Sequence, residues 1–76
     1  RMKAEYYSRI GQALDKLKLQ GDYAVATIGG IYGLEVSVRD GGIDGESILN
    51  VTISADVSEE IVKRLVELLE ARAGLG

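Results

Sequence analysis

The chain has 76 residues, of which 46% are apolar and 28% are charged, and its formal net charge is −3. This predicts one small globular domain over residues 1–76 with a thin stability margin, because so short a chain buries only about 60% of its unfolded surface. The chain contains no cysteine and no histidine, which excludes disulfides, thiol nucleophiles, histidine acid–base chemistry and the usual zinc ligands.

The chain begins with Arg1 followed by Met2. This order favours Met2 as the native first residue, so we expect a complete small protein, with an excised domain as the alternative. The segment that follows lacks the apolar core of a signal peptide, and no apolar run approaches the roughly 20 residues of a membrane span. We therefore expect a cytoplasmic protein without a membrane partner.

Residues 3–19 are predicted to form an amphipathic helix. Their apolar residues recur at spacings of three and four and fall in an arc of about 140° on a helical wheel. Lys16 and Lys18 suit the C-terminal end, and Gly21 suits the position after it. Gly11 costs the helix about 1 kcal/mol relative to alanine. Either another backbone packs closely there, or the position is an unoptimised surface site.

Three β-strands are predicted next, over residues 22–28, 31–39 and 47–55. The second and third alternate apolar and polar residues, which is typical of an antiparallel sheet covered on one face. Val36 is expected opposite Val51. The residues expected on the covered face of these two strands are Leu34, Val36, Val38, Leu49, Val51, Ile53 and Ala55.

The glycine-rich stretch ATIGGIYGLEV, residues 26–36, joins the first two strands. It leads into a strand instead of a helix N-terminus and carries no Lys-Ser/Thr pair, so a phosphate-binding loop is not indicated. We predict instead a hairpin in which Gly29 and Gly30 form a two-residue turn. This register pairs Val25 with Leu34 and turns both toward the covered face.

The same register predicts a flat outer face of small, nearly uncharged side chains. Neither proline nor lysine blocks its edges, so it is a candidate surface for self-association or for a partner protein. The alternative is that small residues there simply remain uncovered. One residue at the margin of the second helix's apolar arc is added to this surface. The candidate interaction residues are Ala24, Ala26, Ile28, Ile31, Gly33, Ser37, Thr52 and Val66.

The loop after the second strand carries Asp40, Asp44 and Glu46. Asp-Gly pairs are ordinary turn residues, and the carboxylates lack the spacing of a calcium loop. We therefore expect no metal site here and no cofactor, and leave open whether residues 40–46 have a function.

Residues 58–73 are predicted to form a second helix that stops at Gly74. Ser58 is a good N-cap residue, although Asp56 and Glu59 offer a competing capping box. The apolar arc of this helix spans about 160°. That is wider than contact with one sheet needs, although the first helix can absorb the excess.

The predicted fold is therefore an α+β domain of order α-β-β-β-α, in which a three-stranded antiparallel meander carries both helices on one face. In topology alone, this order resembles double-stranded-RNA-binding domains and small toxin domains. Those RNA-binding domains contact phosphates through a lysine-rich start of the second helix. The matching residues 58–63 include Glu59 and Glu60, so the resemblance does not imply RNA binding.

We expect a protein-interaction module that is not an enzyme, such as a small regulator, adaptor or inhibitor, and we expect it to form a homodimer. The basis is the flat outer face, the wide second helix and the missing catalytic groups. The alternative is a nucleic-acid-binding accessory protein that uses the first helix, although the net negative charge disfavours it. The basic residues of that helix are Lys3, Arg9, Lys16 and Lys18.

Overall fold

The computed structural model describes residues 3–29 and 33–76. The strands form one antiparallel sheet in the order β1-β2-β3, so the predicted α+β meander is confirmed. Within the described residues, neither helix has the length and apolar content that crossing a membrane requires. The elements in chain order are α1 (Ala4–Leu19), β1 (Tyr23–Gly29), β2 (Gly33–Arg39), β3 (Ser47–Ile53) and α2 (Glu59–Ala73).

The helix ends lie close to their predicted positions. Gly21 directly follows Gln20, the C-cap residue of α1, and Gly74 is the C-cap residue of α2. The N–H of Leu75 then donates to the carbonyl of Glu70 at 2.8 Å, which closes the last turn. Ser58 is the N-cap of α2, as predicted, but its hydroxyl makes no capping hydrogen bond.

The two helices lie side by side and run in the same direction. At their N-terminal ends, the Lys3 ammonium lies 2.9 Å from the Glu59 carboxylate. At their C-terminal ends, the side chain of Gln20 donates to the carbonyl of Ala73 at 3.0 Å. Contacts at both ends therefore fix the relative direction of α1 and α2.

The core lies between the helices and the inner face of the sheet. The central strand β2 buries Leu34, Val36 and Val38, as its alternation predicted. Val66 of α2 is also fully buried, at 0% exposure. The prediction that it lies at the margin of the helical arc, on an interaction surface, was wrong because that side of α2 faces the core.

The register of β1 against β2 differs from the predicted hairpin. Val25 pairs with Ser37 instead of Leu34, and Gly29 pairs with Gly33. The predicted two-residue turn at Gly29 and Gly30 is therefore wrong, because Gly29 belongs to β1 and pairs with Gly33. Ile31, one of the predicted surface residues, lies outside the described residues.

This shift turns β1 over, because an odd change of register exchanges the two faces of a strand. Ala24 is only 2% exposed, on the side of β1 that packs against α1. A small side chain here lets α1 approach the sheet, whereas Tyr23 or Val25 would hold it away. The predicted outer-face placement was thus wrong for Ala24, Ala26 and Ile28, which share the inner face.

The pairing of β2 with β3 follows the prediction, with Val36 opposite Val51. The register changes near the start of β3, where Val38 pairs with Leu49 but Arg39 pairs with Ser47. Ile48 is therefore the extra residue of a β-bulge.

Candidate interaction site

The predicted interaction residues do not form one surface. Two of them lie on the outer face of the sheet, as predicted: Ser37 and Thr52. Two others are exposed, but on the inner face: Ala26 and Ile28. The remaining described residues of the set are buried: Ala24, Gly33 and Val66. A different part of the molecule therefore carries the larger apolar surface.

That part is a groove between β3 and α2, with a volume of about 300 Å³. On α2, Ile61 and Leu68 are 54% and 51% exposed, which is high for large aliphatic side chains. We call this feature the β3–α2 groove. The residues that line it are Leu49, Val51 and Ile53 from β3 and Glu60, Ile61, Arg64, Leu65 and Leu68 from α2.

A second cavity of about 190 Å³ lies beside the C-terminal half of α2. Leu49 and Leu68 line both cavities, so the two are adjacent. Ile48 joins the apolar lining here and is 44% exposed. The bulge at the start of β3 is what brings Ile48 beside Leu49 on this side of the sheet.

The groove exists because α2 has more apolar surface than the core uses. Ile61 and Leu68 are seven residues apart, about two helical turns, and so share one stripe of α2. This stripe lies beside the residues that α2 does bury. On the facing strand, Leu49 and Val51 are only half-buried, so α2 does not fully cover the inner face of β3. The buried residues of α2 are Val62, Leu65, Val66, Leu69 and Ala73.

The strand beside the groove has an unprotected edge. β3 pairs with β2 on one side and has no strand neighbour on the other among residues 3–29 and 33–76. Its sequence, SILNVTI, contains no charged residue and no proline, which are the usual devices that keep an edge strand from pairing. Backbone hydrogen-bonding groups and an apolar groove therefore lie side by side.

The cavity at the opposite edge of the sheet, beside β1, is less apolar than the β3–α2 groove. The cavity between α1 and β1 is lined by Leu14 and Val25, by one glycine and two alanines, and by Asp15 and Lys18. These two side chains form an ion pair at 3.3 Å. With two large aliphatic residues and a charged pair, this cavity provides a weaker apolar contact than the β3–α2 groove, which has six large aliphatic residues.

The outer face of the sheet is weakly charged, although the residues from β1 differ from those predicted. Among its described residues, Glu35 and Arg39 carry the charge. Val25 is its exposed aliphatic residue, at 40% exposure. The described part of the outer face thus exposes one large aliphatic side chain, whereas the groove exposes both Ile61 and Leu68. Its other residues are Tyr23, Thr27, Ser37, Asn50 and Thr52.

The basic residues of α1 are mostly paired with carboxylates. Besides the ion pairs of Lys3 and Lys18, Arg9 donates two hydrogen bonds to Glu70, at 2.7 and 3.0 Å. These bonds hold the pKa of Glu70 below its ordinary value, and the Lys3 hydrogen bond does the same for the pKa of Glu59. Three of the four basic residues that the nucleic-acid-binding alternative would use are thus paired within the protein.

A second set of ion pairs links three segments of the chain. Arg72 of α2 lies 3.3 Å from the Asp22 carboxylate and 3.1 Å from the Asp40 carboxylate. The N–H of Gly41 also donates to the Asp22 carboxylate at 3.1 Å. This hydrogen bond, and to a smaller extent the one from Arg72, lowers the pKa of Asp22. The acidic loop thus contributes to the fold through Asp40 and Gly41. Within the part of the chain described, no three carboxylates gather in a way that could hold a metal ion.

The sequence reasoning missed the groove because it placed the exposed margin of the α2 arc at Val66, whereas the exposed margin is the opposite one, at Ile61 and Leu68. Two signals could have found it. The arc of about 160° was wider than one sheet contact needs, and β3 carried no charge at all. Together these features mark the side on which α2 and β3 remain open.

The chain has no significant match among protein-family models, curated proteins or solved structures. Its function is therefore inferred from the side chains of the groove and the strand edge.

Proposed function

We propose that this chain is a cytoplasmic protein-interaction module that is not an enzyme, acting as a small regulator, adaptor or inhibitor, and that the β3–α2 groove is its binding site. The observation that supports this proposal most strongly is the groove itself. Its walls are aliphatic, with Ile61 and Leu68 more than half exposed. Exposed apolar patches of this kind mark interaction sites in soluble proteins.

The combination of groove and strand edge favours a polypeptide as the ligand. An extended segment that pairs with β3 would use main-chain hydrogen bonds for affinity. Its alternate side chains would point into the groove, because successive residues of a strand face opposite sides. A small polar metabolite would find few partners, since Glu60 and Arg64 are the charged residues among the groove's described lining.

Covering the groove would release appreciable free energy. Full burial of an isoleucine or leucine side chain contributes about 1.5–3 kcal/mol, so covering the exposed half of one contributes roughly 1 kcal/mol. Ile48, Ile61 and Leu68 are each about half exposed. Together with the strand edge, they can support a specific interface.

An affinity pull-down from cells that naturally produce the protein tests this proposal. The wild type is compared with Leu68→Glu, which places a charge in the groove, and with Leu19→Glu as a matched control. Leu19 lies at the end of α1 and is 86% exposed. We expect wild type and Leu19→Glu to retain the same proteins, and Leu68→Glu to lose them. If the wild type and both variants retain the same proteins, the groove is not the binding site.

A further inference from the structure

The arrangement of residues along the groove identifies its occupant. We propose that the occupant is a second copy of this chain, joined through antiparallel pairing of the two β3 strands around a two-fold axis at Val51. This inference rests on the proposed function, since it names the partner of the same groove.

The inner face of β3 is self-complementary around Val51. When two antiparallel copies of β3 pair with Val51 opposite itself, Leu49 faces Ile53 of the second copy. All the inner-face pairs are then aliphatic, and such cross-strand pairs stabilise a sheet. On the outer face, Asn50 faces Thr52 of the second copy, which places uncharged polar side chains together.

The exposed stripe of α2, which contains Ile61 and Leu68, has its centre at the level of the proposed axis. Ile61 and Leu68 are equally spaced around the point between residues 64 and 65. Leu68 lines the second cavity with Ile48 and Leu49, near the start of β3, whereas Ile61 lines the groove that also contains Ile53, at the end of β3. One axis therefore places Ile61 across from Leu68 of the second copy while it pairs the two strands.

The charges on the exposed side of α2 fit the same axis. Arg64 lies next to the midpoint, with Glu60 one turn before it and Glu67 nearly one turn after it. Among the described residues, none of these three forms an ion pair within the chain. Antiparallel placement of two α2 helices brings Arg64 beside Glu67 of the second copy, so opposite charges meet along the rim.

The lengths of β3 and α2 suit a dimer of so small a chain. The seven residues of β3 and the fifteen of α2 are each about 22–23 Å long, so neither element overhangs the other. A standard interface covers about 800 Å² per partner, roughly a sixth of the 4916 Å² surface of this chain. The free edge of β3 has no strand neighbour among residues 3–29 and 33–76, and α2 leaves the inner face of β3 partly uncovered, so a second β3 can approach this edge.

Disulfide cross-linking tests the axis directly, because the chain has no cysteine of its own. Val51→Cys places two thiols opposite each other at the axis, and Thr27→Cys on β1 is the control at the other edge. Under mild oxidation we expect Val51→Cys to form a covalent dimer at least about tenfold faster than Thr27→Cys. Adding Leu68→Glu to Val51→Cys should abolish this advantage.

A second pair of variants covers the case in which a cysteine at half-buried Val51 disturbs the fold. Asn50→Cys and Thr52→Cys both lie on the outer face, and the axis predicts that a mixture gives mainly the mixed disulfide. Equal cross-linking rates for Val51→Cys and Thr27→Cys, or no preference for the mixed disulfide, would show that the occupant of the groove is not a second copy of this chain. If the pull-down still shows capture that depends on Leu68, the groove keeps its function with another partner. If that capture is also absent, the proposed function fails as well.

Discussion

Gly33 begins β2 at a point where a side chain has no room. Its φ is 74°, and an added Cβ would meet the carbonyl oxygen of Ile53 and lie 2.8 Å from the amide nitrogen of Ala55. Gly29, directly opposite, has open space around it. We expect Gly33→Ala to lower the free energy of unfolding by about 2 kcal/mol or more. Gly29→Ala should change it by less than about 0.5 kcal/mol. Equal losses in urea denaturation would contradict this explanation.

Gly11 is the residue for which the sequence left two explanations open. The structure places it on the exposed side of α1, with no atom within 4 Å of an added Cβ. It is therefore an unoptimised surface position and not a site of close backbone packing. Gly11→Ala should raise the free energy of unfolding by about 0.5–1 kcal/mol, because alanine favours the helical backbone. Thermal denaturation measures this, and a lower melting temperature would show that the glycine is required.

At the level of elements, the sequence predicted those segments whose two faces differ in polarity. β2, β3 and both helices each have a clear polar side, so their placement and inward faces followed from periodicity. The inner-face residues of β2 are buried as expected. Periodicity could also define the apolar arc of α2, but it could not show which part of that arc the core would leave exposed.

β1 shows why the rest could not be predicted. Its sequence, YAVATIG, is apolar or small on both faces, so the alternation is compatible with either orientation. The predicted two-residue turn then selected the wrong orientation of β1. Side-chain size decided the outcome, because Ala24 is the residue that fits against α1. This information lies in the packing of two elements and not in the strand's own pattern.

The division of α2 into a buried side and a groove side gives a direct test. Leu65 is 4% exposed, whereas Ile61, one turn earlier, is 54% exposed. We expect Leu65→Ala to destabilise the fold by roughly 2–4 kcal/mol, and Ile61→Ala by less than about 1 kcal/mol. Both variants are compared by urea denaturation at protein concentrations low enough to keep the chain monomeric. Similar losses would mean that Ile61 belongs to the core.

For the whole molecule, the ion pairs between elements predict sensitivity to acid. The folded-state pKa values of Asp22 and Glu70 are lowered by the hydrogen bonds that their carboxylates accept. Their contribution is therefore fully present well above the unfolded pKa values of about 4, and is lost as the pH falls through the lower folded values. We expect stability to change little between about pH 8 and pH 5 and to fall below about pH 4.

Asp22→Asn tests the assignment of this acid sensitivity. It removes the charge that faces Arg72 but keeps an oxygen that can accept the Gly41 N–H. The variant should be less stable than wild type at pH 7 and should lose less stability on acidification. Urea midpoints at about pH 7, 5 and 3 measure both effects. An unchanged dependence on pH would assign the acid sensitivity to other carboxylates.

The association state of the wild-type chain tests the central claim most directly. In sedimentation equilibrium at high micromolar concentration and neutral pH, we expect twice the chain mass of 8.2 kDa. Leu68→Glu should sediment as a folded monomer, and the control Leu19→Glu should remain a dimer. A wild-type chain that sediments as a monomer of 8.2 kDa across this concentration range, or a Leu68→Glu variant that stays dimeric, would contradict the account.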